Sequence, residues 1–268
     1  MSVLARILDA KRREVEALQS KPRRAPPDRR PIDVPKALRR DGGRLRLIAE
    51  VKLRSPSAGV LSRALAPEAR ALVYARGGAA MVSVLCDAPF FDGSWEHLAA
   101  ARGAIDAAGL AVPLLAKEFV VDARQIAEAR DRGADAVLLI ARIVDGAALA
   151  TLVTAARAEG LEPFVEVVDE AELDTALAAG ARVVGVNARD LDTLVMDPVR
   201  TARVLERIPR DRVAVHLSGV RSPDAFAAVA RGRADAALVG EALMRADDPA
   251  PLLASMLARG RGPAQTTG

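Results

Sequence analysis

Eight short apolar runs recur along the chain, and each has the length and composition of a buried β-strand. The runs are separated by alanine-rich segments that are long enough to form one crossover helix each. They are LIAEV (47–51), AMVSVL (80–85), VPLLA (112–116), AVLLI (136–140), PFVEVV (163–168), RVVGV (182–186), RVAVH (212–216) and AALVG (236–240). Strands that alternate with helices in this way predict a parallel sheet.

The ends of the predicted helices repeat the same signals from unit to unit. A glycine stands before the apolar run in GGAAMVSVL, GADAVLLIA, GARVVGVNA and GRADAALVG, where it is suited to cap a helix C-terminus. Asp169 and Glu172 have the spacing of a capping box, and Asp197 and Ser222 each precede a proline. Eight βα units close a barrel, and no GxGxxG motif follows a run. We therefore predict an α/β protein, a (β/α)8 TIM barrel, rather than an open doubly wound sheet.

Residues 1–45 do not follow this pattern. The proline-rich stretch KPRRAPPDRRPIDVP (21–35) excludes a regular helix. The segment before it predicts an amphipathic helix over 3–18, with an apolar stripe of Val3, Leu4, Ile7, Leu8, Val15 and Leu18. We predict an N-terminal helix and tether (1–45) packed on one barrel domain (46–262), followed by a disordered tail (263–268).

Composition narrows the possible classes of protein. The chain has 268 residues, 51% of them hydrophobic, which is enough for one large core. No apolar run reaches the roughly 20 residues of a membrane span, and the N-terminus lacks the apolar segment of a signal peptide. The lone Cys86 excludes an internal disulfide. We therefore expect a cytoplasmic protein without a membrane partner. We also predict a monomer, although composition does not bear on the oligomeric state.

The positive charge also needs an interpretation. The formal net charge of +4 comes from arginines that are scattered over the predicted helix faces, which is typical of a solvated surface. Aromatic residues make up only 3% of the chain, so no stacking platform for single-stranded nucleic acid is expected. A basic protein suits a small anionic substrate.

Polar residues stand at the carboxyl ends of the predicted strands, where barrel enzymes build their sites. Glu50 and Lys52 lie two residues apart at the end of the first strand and so share its inward face. Lys117 follows the third strand, Glu166 lies in the fifth, and Asn187 follows the sixth. A carboxylate inside a barrel is costly unless it is paired. The lysines and carboxylates together predict an acid/base set, and a purely structural ion-pair cluster is the alternative.

Lysine usage strengthens this prediction. The chain has 39 lysines and arginines, of which only five are lysines, and the two in the barrel domain, Lys52 and Lys117, both follow strands. A partly buried lysine can release a proton, whereas arginine cannot. We expect the pKa of Lys117 to lie below that of a free lysine, because Lys52 and a partly dry barrel mouth disfavour its charged form.

Glycine turns follow the last two strands. Ser218-Gly219 and Gly240-Glu241 stand where barrels bind phosphate through backbone N–H groups. We predict that these turns hold an anionic group of the substrate.

Three phenylalanines also follow strand ends. Phe90, Phe91 and Phe119 predict either an apolar wall for an aromatic ring or a cap on the barrel core. His97 and His216 lack neighbours at metal-ligand spacing, so we expect both to be structural and predict no metal site.

Several motifs resemble the indole-3-glycerol phosphate synthase family. IAEVKLRSPSAG (48–59) is similar to the family's first-strand signature. Five later segments resemble the family's other signatures in the same order: MVSVLCDAPFFDGS, PLLAKEFVVD, FVEVVDEAEL, VGVNARDL and ALVGEALMRA. The similarity runs from LARILDAKRREV to about Pro251, and the chain is identified as a member of this family.

The resemblance implies a reaction and a set of roles. The substrate would be 1-(2-carboxyphenylamino)-1-deoxyribulose 5-phosphate, converted without metal or cofactor to indole-3-glycerol phosphate, carbon dioxide and water in tryptophan biosynthesis. Lys117 would be the general acid, Glu166 the acid/base group of the dehydration, and Lys52 the countercharge of an anionic substrate group. Glu50 and Asn187 would orient the lysine and the substrate hydroxyls. The N-terminal helix would cover the barrel mouth. The substrate-binding residues would be Ser55, Phe91, Phe119, Leu138, Arg189, Ser218, Gly219, Gly240 and Glu241.

The chain departs from the family pattern at three positions. Glu118 stands where the family usually has aspartate, which we expect to be a minor change in a flanking group, and Ala188 stands where it usually has asparagine. Leu217 replaces a glutamate and would remove one contact to a substrate hydroxyl. This change motivates an alternative function, a catalytically impaired barrel retained as a binding or scaffold protein. Another alternative, phosphoribosylanthranilate isomerase, would need a Cys/Asp acid–base pair at strand ends, which the position of Cys86 does not favour.

Overall fold

The computed structural model describes residues 3–18, 23, 25–29, 32–56, 58–190 and 195–261. Within these residues, eight parallel strands close into a barrel, which confirms the predicted fold. All strands except β2 and β3 belong to the barrel, and these two form a short hairpin after β1. In chain order the strands are β1 (Arg46–Val51), β2 (Arg54–Ser55), β3 (Gly59–Val60), β4 (Met81–Leu85), β5 (Leu114–Lys117), β6 (Ala136–Ile140), β7 (Glu162–Val167), β8 (Val183–Asn187), β9 (Val213–Leu217) and β10 (Ala236–Val239).

Helices fill the connections between the strands. The capping residues predicted from sequence, Asp169, Asp197 and Ser222, each accept the backbone N–H three residues further along. None of the helices in the described ranges combines the length and the apolar character of a membrane span. The helices are α1 (Val3–Leu18), α2 (Val34–Leu38), α3 (Pro67–Arg76), α4 (Ala88–Phe91), α5 (Trp95–Ala107), α6 (Ala123–Asp131), α7 (Gly146–Ala158), α8 (Glu170–Ala178), α9 (Pro198–Arg207), α10 (Pro223–Ala230), α11 (Glu241–Arg245) and α12 (Ala250–Arg259).

The barrel interior is apolar along most of its length. Side chains such as Ile48, Leu115 and Phe164 point inward and pack together, and Val34 and Leu38 of α2 join them. Strand residues two apart share a face, so the next inward positions on these three strands are residues 50, 117 and 166. The alternation therefore brings Glu50, Lys117 and Glu166 to the same end of the barrel, at the carboxyl ends of the strands.

The segment before the barrel packs on it through α1 and the tether. Helix α1 buries Leu4, Ile7 and Val15 and lies against α6. In the tether, Arg29 Nη2 and the Ile32 N–H both donate 2.8 Å hydrogen bonds to Asp135 Oδ1. The division into a 1–45 segment and a 46–262 barrel stays a prediction, and the predicted tail (263–268) lies outside the described residues.

The hairpin of β2 and β3 was not predicted from sequence. Each strand is only two residues long, which is too short to give a recognisable alternation of apolar and polar side chains. Gly59, at the turn, has φ +69°, a conformation that favours glycine. The hairpin places Ser55 at the barrel mouth, where its Oγ accepts the N–H of Ala58 at 3.1 Å.

Candidate active site

A cavity opens at the carboxyl end of the barrel. Its walls come from the ends of the strands, from the loops that follow them and from α1. Apart from Phe90, the residues predicted above for the site line this cavity: Glu50, Lys52, Ser55, Phe91, Lys117, Phe119, Leu138, Glu166, Asn187, Arg189, Ser218, Gly219, Gly240 and Glu241. Their proximity follows from the barrel, and their roles stay predictions.

Glu50 and Lys52 form an ion pair at the end of β1. Lys52 Nζ lies 2.6 Å from Glu50 Oε1, with the Glu50 side chain buried and the Lys52 side chain 18% exposed. Burial raises the pKa of Glu50, but Lys52 and then Lys117 lower it by more, so the pKa lies below its ordinary value. Glu50 is therefore held as an anion, and it faces both lysines of the site.

Lys117 and Glu166 form a second, looser pair across the cavity. Lys117 Nζ lies 3.5 Å from Glu166 Oε2, and both groups line the cavity. Asn187 Nδ2 donates a 2.8 Å hydrogen bond to Glu166 Oε1, and the N–H of Arg189 donates to Asn187 Oδ1 at 3.0 Å. The amide thus fixes one carboxylate oxygen of Glu166 and leaves the other towards Lys117.

The expected direction of the Lys117 pKa was wrong. Burial lowers this pKa, but Glu166 and Glu50 together outweigh burial and raise it. Lys52 was expected to repel the Lys117 charge, yet Lys52 is itself bound to Glu50 at 2.6 Å. Lys117 is therefore an ammonium group between carboxylates. It stays protonated at pH values above the ordinary pKa of lysine and can act as a proton donor.

One side of the cavity is apolar. The rings of Phe91 and Phe119 lie 6.0 Å apart between centroids and are tilted by 35°, and Leu138 and Leu217 line the cavity with them. Phe90, which was predicted to belong to the same wall, is not among the lining residues. Such a wall suits a flat aromatic ring.

The turns after β9 and β10 form another part of the rim. Ser218 has φ +67° and Gly219 has φ +83°, so two successive residues adopt the left-handed conformation. Gly240 directly precedes α11, whose first residue, Glu241, forms an ion pair with Arg245 at 3.0 Å. The Glu241 side chain is thus engaged within α11, and its backbone N–H is the group suited to meet an anion.

Gly240 is required for space rather than for its backbone conformation. Its φ of −114° is open to other residues, but an added Cβ would lie 2.4 Å from Glu50 Oε1 and 3.2 Å from Lys52 Nζ. We expect Gly240→Ala to lower kcat/KM by about 10²-fold, because a displacement of about 1 Å at a catalytic group can cost that much. Gly240→Asp, which also adds negative charge to the turn, is expected to lose more.

Steady-state kinetics and thermal unfolding of Gly240→Ala test this expectation. Gly103→Ala is the matched control, since Gly103 lies in α5 and an added Cβ there meets nothing within 4 Å. A Gly240→Ala enzyme with the unmodified kcat/KM would show that the Glu50–Lys52 pair tolerates displacement.

Sequence reasoning missed several lining residues. Leu4 and Ile7 of α1 and Arg221 after β9 line the cavity, and Glu118 lies buried between Lys117 and Phe119. Arg221 follows the predicted phosphate turn by two residues, so its charge could have been noticed. Glu118 is not the flanking group that was expected, because its carboxylate lies 3.0 Å from Lys11 Nζ in the protein interior.

The histidines lie away from the acid/base groups. His97 stands in the first turn of α5, and His216 Nε2 lies 3.1 Å from the carbonyl oxygen of Ser218. Among the described residues, no cluster of three or more His, Cys, Asp or Glu side chains could hold a metal ion.

Comparison with known proteins agrees with the motifs. A sequence model of the family described as indole-3-glycerol phosphate synthase matches residues 4–256. The chain is 50% identical over 226 residues to indole-3-glycerol phosphate synthase 2 of Streptomyces coelicolor, covering 84% of this chain and 83% of that protein. It is 43% identical over 239 residues to indole-3-glycerol phosphate synthase of Mycobacterium ulcerans, covering 89% and 84%. A solved 3-hexulose-6-phosphate synthase superposes with a TM-score of 0.62 at 20% identity, covering 80% of this chain and 99% of that one, which supports the fold alone. The chain belongs to the indole-3-glycerol phosphate synthase family.

Proposed function

We propose that this enzyme converts 1-(2-carboxyphenylamino)-1-deoxyribulose 5-phosphate to indole-3-glycerol phosphate, carbon dioxide and water, as a step of tryptophan biosynthesis. The observation that carries the proposal is the pairing of Lys117 with Glu166 and of Lys52 with Glu50 around one cavity. This cavity also has apolar side chains and glycine turns in its lining, which match the aromatic ring and the phosphate of the substrate.

The first step forms the new ring. The aromatic carbon that bears the carboxylate attacks the ribulose carbonyl carbon, and Lys117 donates its proton to the carbonyl oxygen as that oxygen gains charge. A carbon–carbon bond forms and the carbonyl becomes a hydroxyl. The carbon–carboxylate bond then breaks, carbon dioxide leaves, and its bonding electrons restore the aromatic ring.

The second step removes water. Glu166 accepts a proton from the carbon next to the ring nitrogen, while the new hydroxyl leaves as water with a proton from Lys117. Lys117 first takes this second proton from solvent at the open cavity, because loss of the substrate carboxylate as carbon dioxide consumes one proton overall. The double bond that forms completes the indole. The 3.5 Å separation of Lys117 Nζ and Glu166 Oε2 keeps the donor and the acceptor within reach of adjacent substrate atoms.

Charge balance supports the role of Lys52. The positive charges of the two lysines cancel the negative charges of the two glutamates, whereas the substrate adds the negative charges of a carboxylate and a phosphate. Lys52 is partly exposed at the mouth and can neutralise the substrate carboxylate while it stays bound to Glu50. The phosphate would lie at Ser218, Gly219 and Gly240, with the positive charge of Arg221 nearby on the same cavity wall.

The proposal is tested by turnover of the unmodified protein. We expect the fluorescence of indole-3-glycerol phosphate to appear when the protein is mixed with the substrate, without added metal or cofactor. Substrate binding without detectable turnover would instead support a binding or scaffold protein. A monomeric active unit and a cytoplasmic location are further parts of the proposal.

Leu217 tests how much the departure from the family pattern matters. Leu217 is 3% exposed and packs with Val215 and Leu238, and it lines the cavity beside Asn187. We expect the unmodified protein to be active, because a hydrogen bond to one substrate hydroxyl contributes about 0.5–1.5 kcal/mol, or about 1.5–3 kcal/mol when the partner is charged. Leu217→Glu should change kcat/KM by no more than about one to two factors of ten. It should also lower the melting temperature, since it buries a carboxylate among apolar side chains.

Kinetics and thermal unfolding of Leu217→Glu and Leu217→Gln provide the check. Glutamine supplies the same length without charge, so a loss of stability specific to glutamate would identify charge burial as its cause. An inactive unmodified protein that Leu217→Glu makes active would contradict the expectation.

A further inference from the structure

A group of buried charges joins α1 to the barrel mouth. Lys11 Nζ lies 2.7 Å from Asp87 Oδ1 and 3.0 Å from Glu118 Oε1, and all three side chains are at most 1% exposed. Glu14, one turn further along α1, lies 2.8 Å from the same nitrogen and is partly exposed. We call Lys11, Asp87 and Glu118 the Lys11 cluster.

Each member of the Lys11 cluster is tied to a wall of the cavity. Asp87 Oδ2 accepts the N–H of Phe90 and so caps α4, which carries Phe91. Glu118 Oε1 accepts the N–H of Phe119 at 2.7 Å. Lys11 lies one helical turn from Ile7, which lines the cavity. The cluster therefore fixes Phe91, Phe119 and Ile7 relative to one another.

The burial of these charges makes Lys11 indispensable to the docking of α1. Two carboxylates in a dry interior need a partner of opposite charge in addition to their backbone hydrogen bonds, and removal of one partner of a buried pair is strongly destabilising. Lys11 is the cation that contacts both. When α1 leaves the barrel, Lys11 leaves with it, so ion pairing and docking occur together.

We propose that Lys11 is a positioning residue, which holds α1 over the cavity so that Leu4 and Ile7 complete the apolar wall built by Phe91 and Phe119. The kinetic part of this inference rests on the proposed function. Lys117 is held separately, by β5 and by Glu166. Loss of Lys11 should therefore weaken substrate binding and leave the chemical step largely intact.

The variant that tests the proposal is Lys11→Met, which keeps the length of the side chain and removes its charge. We expect KM to rise by about tenfold or more, while kcat changes by less than about threefold. Arg12→Met is the matched control, because Arg12 is an exposed cation on the same helix. It should behave as the unmodified enzyme does.

Hydrogen–deuterium exchange reports docking independently of activity. In Lys11→Met we expect faster exchange at residues 3–18 and unchanged exchange in the barrel strands. The double variant Lys11→Met/Glu118→Gln removes one of the unpaired carboxylate charges and keeps an acceptor for the Phe119 N–H. It should recover part of the helix protection and part of the KM, which a role limited to packing of the Lys11 stem would not produce.

The pH dependence of docking provides a readout on the unmodified chain. Burial raises the pKa of Glu118 from 4.5 to about 7, against the opposing effect of Lys11. The docked state then binds more protons than the undocked state between these values, so docking weakens as pH rises through this window, by about tenfold per pH unit. Protection of α1, corrected for intrinsic exchange, should be lower at neutral pH than at mildly acidic pH, and Glu118→Gln should remove the difference.

The two lysines and the thiol near Glu118 do not reverse this sign. The pKa values of Lys11, Lys117 and Cys86 are all raised, so these groups stay protonated across the window. The charged and titratable groups facing Glu118 or its partners are Lys11 and Glu14 from α1, Cys86 and Asp87 after β4, Lys117 from β5 and Arg132 after α6.

The outcomes distinguish a failure of the positioning role of Lys11 from a failure of the proposed function. An unmodified KM and unmodified helix exchange in Lys11→Met would overturn the role of Lys11, and so would lost helix protection with an unchanged KM. If the barrel of Lys11→Met loses protection as a whole, the double variant Lys11→Met/Glu118→Gln decides: recovered protection would support the cluster, and unrecovered protection would count against it. Absence of turnover in the unmodified protein would refute the proposed function, and the exchange experiments would still test docking.

Discussion

Lys117→Arg is expected to lower kcat by about 10²–10⁴-fold, the range over which a positioned proton donor contributes to catalysis. Arginine keeps the positive charge, so the ion pair with Glu166 and the attraction for an anionic substrate both survive. It cannot release its proton near neutral pH, however, and the carbonyl oxygen must receive one as the ring closes. KM should therefore change far less than kcat.

The raised pKa of Lys117 agrees with this role. The carboxylates of Glu166 and Glu50 keep the ammonium charged while it waits for substrate. During ring closure the carbonyl oxygen becomes strongly basic, and only then does transfer of the proton become favourable. A lowered pKa would have left part of the enzyme without its proton before substrate bound.

Lys36→Arg is the matched control for this experiment. Lys36 is exposed on α2, which packs against the barrel interior through Val34 and Leu38, away from the cavity. The same replacement there should leave kcat unchanged. A Lys117→Arg enzyme that works near the rate of the unmodified protein would remove Lys117 from the role of general acid.

The residues at the strand ends were predictable because barrel geometry is regular. Once Ile48, Leu115 and Phe164 are assigned to the interior, the positions two residues further along must point into the mouth. Neighbouring strands in a closed barrel bring these positions together whatever their separation in sequence. The pattern of apolar residues was therefore sufficient to predict where the side chains of Glu50, Lys117 and Glu166 lie.

Contacts between side chains were much less predictable. Lys11 interrupts the apolar stripe of α1, and a lysine in such a pattern is ordinarily assigned to solvent, although here it is fully buried. Its partners, Asp87 and Glu118, come from two different strand ends. The predicted lowering of the Lys117 pKa was wrong for a related reason. The direction of this pKa shift depends on which carboxylate binds which lysine, and the periodicity of the sequence does not specify that pairing.

Glu166→Gln should have an effect of similar size, a loss of about 10²–10⁴-fold in kcat, with a small change in KM. The replacement keeps the shape of the side chain, and the amide oxygen can still accept the hydrogen bond from Asn187 Nδ2. The atom that faces Lys117 then becomes an NH2 group, which carries no charge and accepts no proton. The dehydration step loses its base, while the binding surface is nearly unchanged.

This variant should also alter Lys117 itself. Glu166 has the largest effect of the groups that raise the Lys117 pKa, and burial, which lowers this pKa, remains when the carboxylate is neutralised. The pKa of Lys117 should therefore fall in Glu166→Gln, which NMR titration of the lysine side chain can follow. A fall in kcat without any shift of this pKa would mean that the two groups do not interact in solution.

Glu162→Gln separates catalysis from stability on the same strand. Glu162 is a buried carboxylate at the opposite end of β7, where it forms an ion pair with Arg182. Its replacement should lower the melting temperature, because Arg182 loses its partner, and should leave kcat unchanged. If Glu162→Gln and Glu166→Gln lowered kcat equally, the loss would come from distortion of β7, and Glu166 could no longer be assigned as the base. If only Glu166→Gln loses activity, the position of the carboxylate at the mouth of the barrel is what matters, since the two variants remove the same charge from the same strand.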